Sequence, residues 1–256
     1  MARGVETINI ELIKKNLINF IKNTVKEAGF KKVIVGISGG VDSATVAYLS
    51  KEALGSLGVI GVMLPYGDID PDGIKFAKVV IDNLGIKHHI IDIAPMVDAY
   101  FRNFPSADNI RRGNKMARER MAILYDLSKE EDALVIGSGN RTEILLGYCT
   151  LHGDSACALN PLAGLYKSQV FMLARHIGVP EEIINRKPTA GLWRGQTDED
   201  EIGSSYSVID GLLRGLVDEK RSENELAEDG FDKELIGRIK NMIKRTEFKR
   251  RAPSIP

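Results

Sequence analysis

A surplus of charge of either sign is missing from this sequence, since its 256 residues include 35 Lys and Arg and 35 Asp and Glu. Such a balance does not favour nucleic acid or an anionic membrane as a partner. Long apolar runs are missing too: none approaches the roughly 18 residues that span a bilayer, and residues 1–6 contain no apolar signal core. We therefore expect a cytoplasmic protein with no nucleic-acid partner and no membrane partner.

Cysteine is scarce as well. The two cysteines, Cys149 and Cys157, match neither the spacing of a zinc site nor a C-x-x-C redox motif, so we interpret them as small buried thiols. Internal repeats and low-complexity linkers are also missing. We therefore expect a single domain over residues 1–256, long enough to bury a large core.

The most informative stretch begins at Val33 and combines three local signals. Val33–Ile37 is a β-branched apolar run, which is typical of a buried parallel strand. Ser38-Gly39-Gly40 predicts a tight turn, and the residues from Asp42 to Leu49 predict a helix. The N–H groups of the turn and the positive end of the helix dipole point to the same place, so the stretch predicts an anion-binding site.

The motif Ser38-Gly39-Gly40-Val41-Asp42-Ser43 differs from the common phosphate-binding loops, because it lacks the Lys of a Walker-type loop and the G-x-G-x-x-G spacing. Ser38 and Ser43 supply hydroxyl donors. Asp42 would repel a bare phosphate, so it indicates a bridging metal ion, with Mg²⁺ as the first choice. The motif resembles the pyrophosphatase loop of the ATP pyrophosphatases, which split ATP into AMP and pyrophosphate. The alternative is a glycine turn with a capping Asp and no ligand.

Strands and helices alternate through the first part of the chain. This alternation predicts an α/β fold in which a parallel sheet is flanked by helices on both faces and the ligand lies beyond the carboxyl ends of the strands. A second glycine turn, Gly137–Glu143, follows the fourth strand, so both glycine turns are expected in one crevice. The predicted strands are Val33–Ile37, Val59–Leu64, His89–Ile93 and Ala133–Ile136.

Most of the remaining chain is predicted to be helical. Residues 10–28 have an amphipathic pattern, with Asn9 as the N-cap and Gly29 as the stop, and Pro180 suits the first position of a short helix. Pro65–Gly73 and Thr189–Glu201 have the composition of polar loops. Further helices are predicted over Pro95–Phe101, Asn109–Leu127, Lys167–Ile177, Tyr206–Val217 and Asp232–Ile243.

Later motifs narrow the resemblance to one family. Together with the first loop they resemble the ammonia-dependent NAD synthetases over roughly residues 10–253. The run Lys187-Pro188-Thr189-Ala190, followed by Gly195–Glu199, is far more specific than the first loop. The other motifs that carry the resemblance are Arg118–Met121, Gly137–Glu143, Asn160-Pro161-Leu162, Leu165–Val170 and Ser207–Asp210.

The resemblance implies a PP-loop fold of the adenine-nucleotide α-hydrolase type and a ligase activity. In that family deamido-NAD is amidated to NAD with free ammonia, through an NAD-adenylate, and AMP and pyrophosphate are released; this is the final step of NAD biosynthesis. Activation is needed because ammonia cannot displace oxide from a carboxylate but can displace AMP from an acyl-adenylate. The implied substrates are deamido-NAD, ATP and ammonia.

The resemblance also implies roles for individual residues. Asp42 and Glu143 would hold Mg²⁺, Lys167 would neutralise phosphate charge, and Asp154 would orient ammonia or accept its proton. Asp42, Lys167 and Asp154 are therefore the catalytic candidates. The implied ATP-binding residues are Gly36, Ile37, Ser38, Gly39, Gly40, Val41, Asp42, Ser43, Ser138, Lys167 and Thr189.

Several of these residues have a plainer interpretation. The alternatives are a solvated lysine for Lys167, a first-turn glutamate that faces the helix dipole for Glu143, a simple N-cap for Thr189 and a turn-forming residue for Asp154.

The implied contacts with the dinucleotide come from Arg118, Phe248 and Lys249, the last two of which reach the substrate across a homodimer in the family. We therefore expect a homodimer. Many relatives have His in place of Phe248, Lys in place of Leu151 and Asp in place of Ala158. This chain thus departs from the common pattern of polar contacts with the substrate.

The segments Tyr66–Gly73 and Leu192–Ser205 are candidate lids, because an acyl-adenylate must be protected from water. The alternative is that both are plain surface loops. Free ammonia is the expected donor, because the chain has no room for the glutaminase domain of glutamine-dependent relatives.

Two rival functions remain open at this point. One is another PP-loop ATP pyrophosphatase, either tRNA-modifying or similar to GMP synthase. The other is a non-catalytic nucleotide-binding sensor, which would not need Asp42 and Glu143 together to place a metal ion.

Overall fold

The computed structural model describes residues 9–252 and residue 255, so both ends of the predicted domain, residues 1–256, lie partly outside it. Four parallel strands form a sheet in the order β3-β2-β1-β4. The prediction of a parallel α/β sheet is confirmed. The strands are β1 (Val33–Gly36), β2 (Val59–Met63), β3 (Lys87–Ile90) and β4 (Leu134–Ile136).

Twelve α-helices are present in the described residues, and none of them is long and apolar enough to cross a bilayer. They are α1 (Ile10–Glu27), α2 (Val41–Leu54), α3 (Pro71–Leu84), α4 (Ala94–Phe101), α5 (Asn109–Glu131), α6 (Arg141–Leu146), α7 (Lys167–His176), α8 (Glu181–Ile184), α9 (Asp198–Ile202), α10 (Tyr206–Leu213), α11 (Glu223–Glu228) and α12 (Lys233–Arg245).

Three hydrophobic clusters hold these elements together. The largest joins the sheet to α1, α2, α3, α7 and α8, and the second joins it to α4 and α5, so both faces of the sheet are covered. The third lies among α6, α10, α11 and α12 and is built from buried aliphatic residues such as Leu146, Ile209 and Ile236. The C-terminal helices therefore form a separate layer that packs on the rest of the fold through α6 and α7.

The strand order places the glycine turns together. From β1 the chain moves outward to β2 and β3, and it then returns to place β4 on the other side of β1. The order thus reverses between β1 and β4, and in open parallel sheets the ligand crevice forms at such a switch point. The turns after Gly36 and Ile136 both lie there, as the sequence predicts.

Some element boundaries differ from those predicted. β3 spans Lys87–Ile90 rather than His89–Ile93, although the N–H of Ile91 still donates to the carbonyl of Met63 at the end of β2 and that of Ile93 to the carbonyl of Pro65. Pro180 is the N-cap of α8 rather than its first residue. The prediction of a loop over Thr189–Glu201 is wrong at its end, where Thr197 caps α9. Residues 214–218 continue α10 as a π-helical turn, and α11 was not predicted.

Candidate active site

A cavity of about 580 Å³ opens at the carboxyl ends of the strands. It is lined by both glycine turns, by the loop after β2 and by the segment before α9. Of the predicted ATP and metal residues, all except Gly39 line it directly, and Gly39 lies within the first turn.

Gly39 is required at its position for two reasons. Its φ of +78° lies in the left-handed region that side chains disfavour, and a Cβ there would overlap the carbonyl oxygen of Gly73 in α3. The first turn and the start of α3 therefore approach each other more closely than any other residue would allow.

The hydroxyls of the first turn organise the turn itself. Ser43 Oγ accepts from the N–H of Ser38 at 3.2 Å and donates to the carbonyl of Gly40 at 3.1 Å, and Ser38 Oγ accepts from the N–H of Gly40 at 3.3 Å. No described side chain caps the N-terminus of α2. Its first-turn N–H groups therefore remain available for an anion.

Lys167 is buried, with 2% of its surface exposed, which excludes the alternative of a solvated lysine. Its Nζ donates to Asp42 and lies 3.7 Å from Glu143 Oε1. The ammonium also lies 5.2 Å from the centre of the Tyr206 ring. The sequence separates these groups widely, and the fold collects them beside the first turn.

The charged groups in this cluster shift one another's pKa values. Burial lowers the pKa of Lys167, but the carboxylates of Asp42 and Glu143 outweigh it, so the pKa rises and the lysine stays protonated. Burial and the charge of Asp42 together raise the pKa of Glu143, against the opposing effect of Lys167. Two carboxylates beside a single ammonium are not fully neutralised by it, so the cluster can accept further positive charge.

Asn140 is a site residue that the sequence analysis missed. Its Nδ2 donates to Asp42 Oδ1 at 3.0 Å, and its Oδ1 accepts from the N–H of Glu143 at 3.0 Å. Glu143 Oε2 in turn accepts from the N–H of Asn140, which completes a capping box at the start of α6. The spacing of Asn140 and Glu143 was a signal for this cap, whereas the contact with Asp42 could not be read from the sequence.

Asp198 is a second residue that was missed. It is buried on α9 and accepts from Tyr148 Oη at 3.1 Å and from Tyr206 Oη at 2.9 Å. Burial raises its pKa, and the charge of Lys167 opposes that shift. The tyrosine hydroxyls therefore hold a further carboxylate close to the ammonium of Lys167.

The two predicted lid segments touch each other over the cavity. In the first lid, Asp70 caps α3 through the N–H of Gly73 and accepts from Arg186, which precedes the second lid, at 2.5 and 2.6 Å. Arg194 approaches the carbonyl oxygen of Asp68 at 3.5 Å. Each lid is also partly helical, since α3 begins at Pro71 and α9 at Asp198.

Asp154 lies on the cavity wall and accepts from the N–H of Thr150 at 2.7 Å. The residue is exposed, but desolvation by the neighbouring protein still raises its pKa. Arg120 is another cavity residue, and its Nε donates to the carbonyl of Leu64 at 3.0 Å. Burial lowers the pKa of Arg120 to about 10, so its guanidinium remains charged at neutral pH.

The predicted substrate residues are divided by the structure. Lys249 lines the cavity and donates to the carbonyls of Gly147 and Cys149, at 2.8 and 2.7 Å. Arg118 and Phe248 lie outside it: Arg118 is exposed, and Phe248 is 61% exposed. In a single chain, only Lys249 of these three residues therefore lines the cavity.

The residues present fit a magnesium ion. Mg²⁺ prefers oxygen ligands and is commonly held by one or two carboxylates together with substrate phosphates. Asp42 and Glu143 supply such carboxylates beside the first turn, and both lie near the ammonium of Lys167. In the described residues no cluster of three or more potential ligands forms a complete protein cage, so bound phosphate oxygens would have to complete the coordination.

The fold and the first turn define a class, the PP-loop ATP pyrophosphatases, in which a parallel strand ends in a glycine turn that opens a helix. A family model described as NAD synthase matches residues 13–253. The NH(3)-dependent NAD(+) synthetase of Fusobacterium nucleatum is 46% identical over 248 residues, which cover 97% of this chain and 96% of the relative. The chain therefore belongs to the NAD synthase family, as the sequence motifs indicate.

Two solved structures are similar over nearly their whole length. The NMN synthetase of Francisella tularensis is 32% identical with a TM-score of 0.87, covering 97% of this chain and 99% of that chain. The NH3-dependent NAD synthetase of Campylobacter jejuni, in complex with the nitrate ion, is 32% identical with a TM-score of 0.84, covering 98% of this chain and 100% of that chain. Both likenesses confirm the predicted fold.

Proposed function

We propose that the protein amidates deamido-NAD to NAD with ammonia and ATP, releasing AMP and pyrophosphate. The observation that carries this proposal is the cluster of Lys167, Asp42 and Glu143 beside the uncapped turn of a NAD synthase family member. Such a cluster serves a reaction whose leaving group carries several negative charges.

The first half of the proposed reaction is adenylation. The substrate carboxylate attacks the α-phosphorus of ATP, the bond to the β-phosphate oxygen breaks, and pyrophosphate leaves. The N–H groups at the start of α2 and the ammonium of Lys167 would stabilise the charge that develops on the pyrophosphate. Asp42 and Glu143 would hold Mg²⁺, which supplies further positive charge to the phosphates when bound.

The second half is the attack of ammonia on the acyl carbon, which expels AMP. Asp154 faces the cavity and supplies a carboxylate that can accept a proton from the nascent ammonium. The contact between the lid segments, from Arg194 to the carbonyl of Asp68, and the pairing of Asp70 in the first lid with Arg186 support a role in keeping water from the adenylate.

The test is a single incubation of purified protein with ATP, Mg²⁺, deamido-NAD and ammonium, in which NAD and AMP are both measured. Equal amounts of the two products, abolished by Asp42→Ala, are expected. AMP without NAD would point to another PP-loop pyrophosphatase with a different acceptor, and neither product would favour a nucleotide sensor. Efficient use of glutamine by the purified chain would contradict free ammonia as the donor.

A second candidate substrate is the acid mononucleotide that corresponds to NMN. The similar structure from Francisella tularensis is named an NMN synthetase. In addition, Leu151, Ala158 and Phe248 replace polar residues that many relatives use toward the dinucleotide, and Leu151 offers only its backbone carbonyl, to Arg118 at 3.1 Å. Parallel assays with nicotinate mononucleotide and deamido-NAD would decide, since a higher kcat/KM for the mononucleotide would replace the first candidate.

The proposed assembly is a homodimer. Large apolar side chains are exposed around α4 and α5, and Arg118 and Phe248 do not line the cavity described above. A partner chain would cover the exposed apolar side chains and would bring Arg118 and Phe248 to a substrate site. The exposed apolar residues are Met96, Tyr100, Phe104, Ile110 and Tyr125.

A cytoplasmic location remains a prediction from the sequence, and fractionation of cells would test it.

A further inference from the structure

A buried carboxylate outside the cavity joins two helices that carry site residues. Asp210 lies on α10, in the C-terminal layer, and is 3% exposed. Its Oδ1 accepts from Thr142 Oγ1 at 2.5 Å, and its Oδ2 accepts from the N–H of Ser168 at 2.7 Å. Thr142 belongs to the first turn of α6 and Ser168 to the first turn of α7, so one side chain links the starts of both helices.

A second hydrogen bond extends this link to the site itself. Thr142 Oγ1 also accepts from the N–H of Lys167 at 3.0 Å. Thr142 directly precedes Glu143 in the chain, and Ser168 directly follows Lys167. The four hydrogen-bonded residues therefore fix the backbones that carry the ammonium of Lys167 and the carboxylate of Glu143.

The position of Asp210 requires an explanation, because a buried carboxylate costs free energy unless it is well hydrogen-bonded. Both of its oxygens have donors, and one donor is a first-turn N–H of α7, where the helix dipole favours negative charge. Its neighbours on α10, Ile209 and Leu213, supply the apolar packing of the third hydrophobic cluster, to which Asp210 adds no apolar side chain. The carboxylate is thus suited to holding two helix starts in register rather than to filling space.

We propose that Asp210 is a positioning residue, which sets the separation of Lys167 from Asp42 and Glu143 through Thr142 and Ser168 and thereby sets the affinity for ATP with its metal. This inference rests on the proposed use of ATP at the cavity. Asp210 itself touches no substrate, because it does not line the cavity.

The test compares Asp210→Asn with the wild-type protein. The amide keeps the shape of the side chain, but its nitrogen cannot accept a hydrogen bond, so one of the two links is lost. We expect the Kd for ATP in the presence of Mg²⁺, measured by calorimetric titration without the acid substrate, to rise about tenfold. In turnover assays KM for ATP should rise while KM for deamido-NAD stays unchanged.

A second pair of variants covers the case in which Asp210→Asn fails to fold. Thr142→Val removes the hydroxyl that connects Asp210 to Lys167 and keeps the branched shape, whereas Thr142→Ser keeps the hydroxyl. We expect Thr142→Val to weaken ATP binding as Asp210→Asn does, and Thr142→Ser to restore it. Leu213→Ala is the matched control, because it removes buried apolar volume from α10 without touching this network. It should lower Tm and leave the Kd for ATP unchanged.

The outcomes separate this inference from the proposed function. Wild-type affinity for ATP in both Asp210→Asn and Thr142→Val, with a Tm lowered as in Leu213→Ala, would show a purely structural role and overturn the inference. Wild-type protein that binds ATP and forms no NAD would overturn the proposed function alone. Protein that binds no ATP at all would overturn both.

Discussion

A lysine as deeply buried as Lys167 is tolerated only because two carboxylates surround it. Removal of one partner from such a group leaves an uncompensated charge in a poorly solvated place, and this costs more than the pair itself contributes. Asp42 and Glu143 depend on Lys167 for the same reason. The cluster is therefore a unit, in which stability and the proposed chemistry are affected together.

Lys167→Met should consequently lower the free energy of unfolding by about 3 kcal/mol, since it leaves two carboxylates without their cation. The same change should lower kcat/KM for ATP at least about a hundredfold. Urea denaturation and steady-state assays would measure the two effects. Lys14→Met is the control: it breaks the more exposed pair with Glu52 and should cost less than about 1 kcal/mol. Equal losses in the two variants would contradict the argument.

Cys149 gives a prediction on pH. Burial raises its pKa to about 11, and only the thiolate is the reactive form. A raised pKa means less thiolate at any pH below it, so alkylation by iodoacetamide at pH 8 should be on the order of a hundredfold slower than that of free cysteine. The rate should rise about tenfold per pH unit up to pH 10. Mass spectrometry of the Cys149 peptide from a Cys157→Ser variant would measure it, and a rate that is flat between pH 8 and 10 would exclude the raised pKa.

At the scale of secondary-structure elements, local signals predicted the sheet and its ligand crevice well. The apolar β-branched runs and the glycine turns act over a few neighbouring residues, so the sequence shows them directly. α9 was missed because its composition is polar, although Thr197 followed by four acidic residues is a helix start that favours the dipole. β3 was displaced because its exposed residues carry no apolar alternation.

In the candidate site, too, the sequence predicted what local motifs show and missed what depends on distant contacts. The first turn, Lys167 and Glu143 were predicted because they lie in motifs. Asn140, Asp198 and Asp210 also lie in motifs, but no role was predicted for them, because each acts through a partner far away in the chain, such as Asp42 for Asn140 or Tyr148 for Asp198. Such pairs exist only once the elements have packed, and a single sequence does not contain them.

The turn between β1 and α2 allows a steric prediction. Gly39→Ala adds a methyl group that meets the carbonyl of Gly73, in addition to the strain of a positive φ. Gly55→Ala is a matched control, because Gly55 has a φ of +76° but open space around it. We expect Gly55→Ala to cost about 1 kcal/mol from backbone strain alone. Gly39→Ala should cost more and should also weaken ATP binding, since the turn must move. Equal Tm values and equal Kd values for ATP would contradict this.

At the scale of the whole molecule, the C-terminal layer contributes residues that support the candidate site. It contributes α10, whose Tyr206 and Asp210 reach α9 on one side and the starts of α6 and α7 on the other. The sheet supplies the turns, and this layer supplies the groups that hold the lysine and the metal candidates in place. Truncation of the layer would therefore be expected to remove function before it disrupts the sheet.

The proposed dimer is tested at this scale. Ile110→Glu places a charge on a residue of α5 that is 68% exposed, within the apolar surface around α4 and α5. We expect light scattering to report a mass of two chains for the wild type and of one chain for the variant. Leu57→Glu is the control, since Leu57 is 92% exposed between α2 and β2. A wild type that is monomeric at micromolar concentration would exclude the dimer.

The charges of the cavity wall nearly cancel, as those of the whole sequence do. Its basic residues number five and its acidic residues six, and several of them are already paired across the cavity. Such a surface projects little field into solvent, so it should not draw in an anionic nucleotide from a distance. The association rate constant of ATP should then change little between low and high ionic strength. The charged residues are Arg120, Lys167, Arg186, Lys187, Lys249, Asp42, Asp70, Glu143, Asp154, Asp198 and Glu201. Discrimination between nucleotides would arise at short range, after the encounter, and would appear in the dissociation rate.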